Sequence, residues 1–186
     1  MIVTIVILAI VVIGGIILVG IYNRLVKLRN TVKSSWSDID VQLKKRFNLV
    51  PSLVETVKAY AKHEKDVFEK VTQARTAAMA AGGPKDAAKS ENFLAGTLKS
   101  LFAVAEAYPE LKANSNFLDL QGQFQKMEED IEAARRYYNA VVRDYNTSRE
   151  TFPAVLLAGM LGFEEAEFFE LDEPDEQRKP IRPDFS

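Results

Sequence analysis

The chain has 186 residues, 47% of them hydrophobic, with 24 Lys+Arg against 26 Asp+Glu, one His and no Cys. The absence of cysteine excludes a disulfide framework, a thiolate metal site and a cysteine nucleophile, and the lone His63 cannot build a multi-histidine metal centre. A net charge of -2 argues against a nucleic-acid-binding domain, which would be strongly basic.

The hydrophobic residues are unevenly spread. Ile2 to Tyr22 is a run of 21 residues without a charge, 15 of them Ile, Val or Leu. As a helix it would rise about 31 Å, the thickness of a bilayer's hydrocarbon core. Tyr22 ends it where an interfacial aromatic belongs. A cleaved signal peptide would need a basic leader, a shorter apolar core and an Ala-x-Ala-like site, and the run has none of these. We therefore read residues 1–23 as an uncleaved single-pass anchor that meets the lipid bilayer through residues 2–22. Gly14, Gly15 and Gly20 do not form a Gly-x-x-x-Gly pair, so the anchor carries no motif for tight dimerisation. Arg24, Lys27, Arg29 and Lys33 follow the run and only Met1 precedes it. The positive-inside rule places the N-terminus outside and residues 24 onward in the cytoplasm.

Beyond the anchor, apolar residues step by three and four. Leu25, Leu28, Val32, Trp36, Ile39 and Leu43 form one stripe, continuous with the anchor because no Pro or Gly intervenes. Asn48 and Pro51 are expected to interrupt this first helix, with Pro51 in the first turn of a second. The second helix carries Leu53, Val57, Tyr60, Glu64, Val67, Val71, Ala74 and Ala78, and Gly82-Gly83-Pro84 close it. A third runs from about Ala87 to Ala107 and ends before Pro109. A fourth, capped near Asn114 and Ser115, places Phe117, Leu120, Phe124, Met127, Ile131, Ala134, Tyr138, Val141, Tyr145 and Phe152 on a coiled-coil-like seam.

The expected fold is all-α, an N-terminal transmembrane helix followed by an antiparallel four-helix bundle over residues 24–163. Glu164 to Glu176 holds eight acids and no base, and with Pro174, Pro180 and Pro183 marks residues 164–186 as an acidic, extended or disordered tail. The apolar run Ala154 to Phe163 is too short to span a bilayer. Alternating helices would bring it back toward the lipid, to lie in the interface or to cap the bundle end.

Several segments resemble the LemA family of bacterial membrane proteins. They are Tyr22-Asn23-Arg24-Leu25-Val26, the stretch from Ser35-Trp36-Ser37-Asp38 to Lys45-Arg46, and Leu49-Val50-Pro51-Ser52-Leu53 through Val57. Further on come Ala105-Glu106-Ala107-Tyr108-Pro109-Glu110-Leu111-Lys112, Arg135-Arg136-Tyr137-Tyr138-Asn139 and Tyr145-Asn146-Thr147. The resemblance implies an anchored helix bundle in the bacterial inner membrane. It implies no reaction.

Candidate chemistry is sparse. His63-Glu64 lacks the second His that a zincin needs, because position 67 is Val67. Glu64 falls on an apolar stripe, where a carboxylate wants a partner, and Arg135 is the expected one. Asp38 and Asp40 point to opposite helix faces and cannot share a proton. Tyr138-Asn139 and Tyr145-Asn146 repeat at seven residues, either as core tyrosines satisfied across the bundle or as a polar ladder that fixes register. Trp36, Asp40, Glu64, Arg135, Tyr138, Asn139, Tyr145 and Asn146 are thus the residues to watch for interaction or register.

No catalytic residue, metal ligand or cofactor site is expected. The function expected is a membrane-tethered, non-enzymatic adaptor that presents a cytoplasmic surface to an unidentified protein partner or organises the membrane. A homo-oligomer is compatible with this, and no nucleic acid is involved. The alternative is a signalling element relaying a displacement through the continuous first helix.

Overall fold

A computed structural model describes residues 1–170, and all regular structure among them is helical. α1 covers Ile2–Tyr60, α2 Lys65–Ala80, α3 Pro84–Glu106, α4 Pro109–Lys112, α5 Ser115–Glu150 and α6 Val155–Ala158. Of the acidic tail, residues 171–186 lie outside the described residues.

The first break falls elsewhere than the sequence led us to expect. α1 runs through Asn48 and Pro51 for 59 residues, about 88 Å of helix, and ends at Tyr60. A proline inside a helix leaves the carbonyl four residues earlier without its amide partner. Here that carbonyl belongs to Phe47, and Arg75 of α2 donates to it through Nε at 2.7 Å. With the lost bond replaced, the helix continues. The turn comes instead at Ala61–Glu64, where the Glu64 amide bonds the Ala61 carbonyl at 3.2 Å. Leu53, Val57 and Tyr60 therefore belong to α1, and Val67 to Ala78 to α2.

Other boundaries follow local chemistry. Pro84 opens α3 behind Gly83. Asn114 caps α5, its Oδ1 accepting from the Phe117 amide at 3.1 Å.

The chain divides into two compact units, both of which contain part of α1 and part of α5. The first comprises Met1–Val41 and Glu132–Phe168. Its large apolar side chains from Ile2 to Val19 are all exposed, from 47% at Leu18 to 78% at Ile2, in a segment long and apolar enough to be a candidate membrane span. From Leu25 onward the pattern inverts: Leu25, Val32 and Ile39 of α1 are buried together with Tyr138, Val141, Val142 and Tyr145 of α5. The second unit comprises Gln42–Ile131 with Phe169 and Glu170. Its core takes Leu43, Val50, Leu53 and Val57 from α1, Val71 and Ala74 from α2, Leu94, Leu98 and Leu101 from α3, and Phe117, Phe124 and Ile131 from α5. Phe102 stacks between Phe117 and Phe124 at ring distances of 6.2 and 6.0 Å.

Candidate functional site

The densest set of specific contacts lies in the first unit, where the chain turns back after α5. Gly162, at φ +72°, adopts the left-handed conformation that ends a helix, and the Phe163 amide reaches the Ala158 carbonyl at 2.9 Å. Phe163 is buried there, with the Tyr22 ring edge-on at 5.7 Å and the Arg29 guanidinium over its face at 4.9 Å.

From Glu164 the chain runs extended along α5 and is tied to it by side chains. The Tyr145 hydroxyl donates to the Glu164 carbonyl at 2.8 Å, and the Tyr138 hydroxyl to the Glu167 carbonyl at 2.7 Å. Between them the Asn146 carboxamide bonds both backbone groups of Ala166, each at 2.9 Å, as a neighbouring strand would. Two rulers coincide here. Seven residues of helix rise about 10.5 Å, and three extended residues cover about 10 Å. The Tyr138/Tyr145 repeat therefore matches Glu167 and Glu164, and the described start of the acidic tail is a docked strap.

Both phenols donate these bonds in their neutral form, and burial extends that form further into alkali. The Tyr138 pKa is pushed up to about 12, first by burial and then by Glu167. Tyr145 is pushed upward too, chiefly by burial, against the opposing pull of Arg29 and Arg149. The Arg149 guanidinium lies 2.9 Å from Glu150 and 3.6 Å from Glu165. Trp36 is half-buried with its ring 5.5 Å from that of Tyr138.

The residues singled out from the sequence separate into groups. Trp36, Tyr138, Tyr145 and Asn146 come together in the first unit, with Asp40, Arg135 and Asn139 half-buried on the same helices. The four cations after the apolar run do not behave alike. Arg24 donates to Ser148 Oγ at 3.3 Å and Arg29 covers Phe163, whereas Lys27 and Lys33 are exposed. Glu64 sits in the α1–α2 turn of the second unit rather than on a helical stripe, half-buried at the start of α2, while Arg135 belongs to the first unit. His63 beside it is exposed.

The buried carboxylate is Glu91, which sequence reasoning passed over. In the second unit Glu91 of α3 is ion-paired with Arg46 of α1, both almost fully buried, and Arg46 also bonds the more exposed Glu128 of α5 at 2.6 Å. Burial pulls the Arg46 pKa downward and Glu128 opposes it. A signal was present. Arg46 continues the 3/4 steps from Leu43 to Val50, and Glu91 those from Ala87 to Leu94, so opposite charges occupied core positions on two helices.

Chemically, the first site positions peptide backbone and the second joins three helices. Among the described residues no group of three or more His, Cys, Asp or Glu could hold a metal ion. An open groove of about 770 Å³ in the second unit is lined by Val54, Phe68, Thr72 and Thr76, with Lys58 and Glu69 among its other residues.

A sequence profile of the LemA family matches residues 35–185. The chain belongs to the LemA family. Among curated relatives, it is 26% identical over 175 residues to magnetosome protein MamQ 2 of Paramagnetospirillum magneticum, covering 80% of this chain and 64% of that one. It is 24% identical over 159 residues to protein LemA of Metamycoplasma hominis, covering 83% and 71% respectively. MamQ of Magnetospirillum gryphiswaldense is 24% identical over 174 residues, covering 80% and 64%. The chain thus spans less than two thirds of the MamQ proteins it matches. As a LemA-family protein it is helical, with one candidate membrane helix among the described residues, at its N-terminus. The strap from Glu164 to Glu167 and the side chains that hold it, Tyr138, Tyr145 and Asn146, fall within the matched residues.

Proposed function

We propose that this protein is a membrane-tethered, non-enzymatic adaptor of the bacterial inner membrane. It crosses the bilayer once through residues 2–22 and presents an antiparallel bundle of its four long helices to protein partners in the cytoplasm. One observation carries the reading: the lipid-suited segment and the packed stripe that begins at Leu25 are parts of a single helix, α1. Anchor and folded surface are then one rigid element. Supporting the sidedness, Arg24, Lys27, Arg29 and Lys33 all lie on one flank of the span. Relatives named as magnetosome proteins accord with a role at a defined cellular structure.

The test has two arms. A cytoplasm-only reporter fused after Ser186 should be active, and a periplasm-only reporter at the same place silent; the reverse would overturn the orientation. Crosslinking in intact membranes followed by mass spectrometry should recover protein neighbours through residues 24–170. Hydrolase or ligase activity of the purified protein that disappeared on substitution of a single side chain would displace the adaptor reading. A second reading, a signal relay, is favoured by the continuity of α1 through Pro51. It predicts that a helix-breaking Gly-Pro pair introduced at Asn23-Arg24 abolishes function without loss of the protein from the membrane.

A further inference from the structure

We propose that the segment from Phe152 to Leu161 is a second membrane contact, an apolar wedge lying in the same bilayer face that α1 leaves. This rests on the membrane reading above.

The segment carries no charge from Thr151 to Phe163. Ala154 and Ala158 are buried and Leu157 is half-buried. The other large side chains face out, with Phe152 80% exposed, Leu156 64% and Met160 86%. Val155 and Leu161 join them. That is an amphipathic arrangement with its apolar side turned away from the protein, the inverse of what water selects.

Its level along α1 is set by contacts within the first unit. Trp36 meets Tyr138 and Arg24 meets Ser148, so residue numbers on α5 rise as those on α1 fall. The chain keeps this direction to the end of α5 at Glu150, and Phe152, four residues beyond Ser148, comes toward the level of the apolar run. Phe163, at the other end of the segment, touches Tyr22, the last residue of that run. The exposed apolar side chains therefore continue the lipid-facing surface of α1. The acids that follow are carried the opposite way, since the strap runs from Tyr145 toward Tyr138 and takes Glu164, Glu165 and Glu167 away from the lipid. Arg24 and Lys27 stay at the boundary to meet anionic headgroups.

The full chain lacks cysteine, so single cysteines at Ile10, Lys33, Leu156 and Met160 can each carry an environment-sensitive dye. All four positions are exposed, and the substitutions leave the packing intact. In proteoliposomes of phosphatidylcholine and phosphatidylglycerol, acyl-chain quenchers should remove about half the emission at Ile10, Leu156 and Met160 and almost none at Lys33. A shallow quencher should act more strongly than a deep one at Leu156 and Met160, and the order should reverse at Ile10. Quenching at Ile10 with Leu156 and Met160 as dark to the quencher as Lys33 would overturn the wedge and leave the anchor standing. No quenching at Ile10 would overturn both. Disulfide dimerisation of unlabelled Met160→Cys protein under an added mild oxidant, together with blue-shifted emission that escapes the quencher in the dye-labelled sample, would assign the face to a second copy and overturn the wedge.

Discussion

The Arg75 guanidinium occupies, at 2.7 Å, the Phe47 carbonyl that Pro51 leaves without a backbone partner. A residue 24 positions beyond the proline thereby decides whether the helix breaks. The two changes should be energetically coupled. Arg75→Ala should cost about 1–2 kcal/mol, the loss of a charged donor from a half-buried carbonyl. In a Pro51→Ala background, where the amide is restored, the same substitution should cost clearly less. Urea unfolding of the four proteins in a double-mutant cycle checks it, and equal costs would show that the bond does not repair the helix.

Arg46 and Glu91 should be the most sensitive polar pair. Either one replaced by Ala strands a buried charge and should destabilise the fold by about 3–5 kcal/mol. The double replacement Arg46→Met with Glu91→Leu should recover most of that, because no charge remains buried. Glu128→Gln, at the exposed end of the network, should cost under about 1 kcal/mol. Thermal unfolding of the variants gives the order.

The strap can be released without touching the core. Asn146→Ala leaves both backbone groups of Ala166 unpaired and should cost about 1–3 kcal/mol. Hydrogen exchange should show the Ala166 amide losing its protection while amides in the middle of α5 keep theirs. Glutamyl endopeptidase should then cut at Glu164, Glu165 or Glu167 faster than in the parent.

Alkali should loosen the same site. An unfolded tyrosine ionises near pH 10, whereas Tyr138 in the fold does so at about 12. The unfolded chain loses its proton first, so stability is full below about pH 10 and declines toward pH 12. Tyr138→Phe should flatten that decline, leaving the smaller contribution of Tyr145. Trp36, the sole tryptophan, has its ring 5.5 Å from that of Tyr138 and should lose emission as the phenolate forms. An emission change complete by pH 10 would contradict the shifted pKa.

The features written in local periodicity were legible from the sequence. The apolar run, the 3/4 stripes and the Asn114 cap each depend on residues within one or two turns of each other. The Pro51 break was misplaced because its rescue comes from α2, and no local pattern announces Arg75. The Tyr-Asn repeat stood out as a ladder, yet its partner is irregular backbone, whose carbonyls carry no sequence signature. Glu64 drew attention because it continues a stripe across what is in fact a turn. Arg46 and Glu91 were visible only to someone comparing two helices at once, since each alone resembles a surface charge.

The undivided length of α1 has a mechanical consequence. Residues 2–22 would rise about 31 Å, against about 30 Å of hydrocarbon in an average bilayer. If residues 2–22 cross the bilayer as proposed, a thinner membrane is answered by tilt, since α1 has no break before Leu25, and a thicker one must itself thin around the helix. Leu25 and Val32, locked against α5 just outside, would tilt with it, and so would Phe163 against Tyr22. Hydrophobic mismatch becomes an input to the first unit, and lipid thickness alone could load the strap that Tyr138, Tyr145 and Asn146 hold.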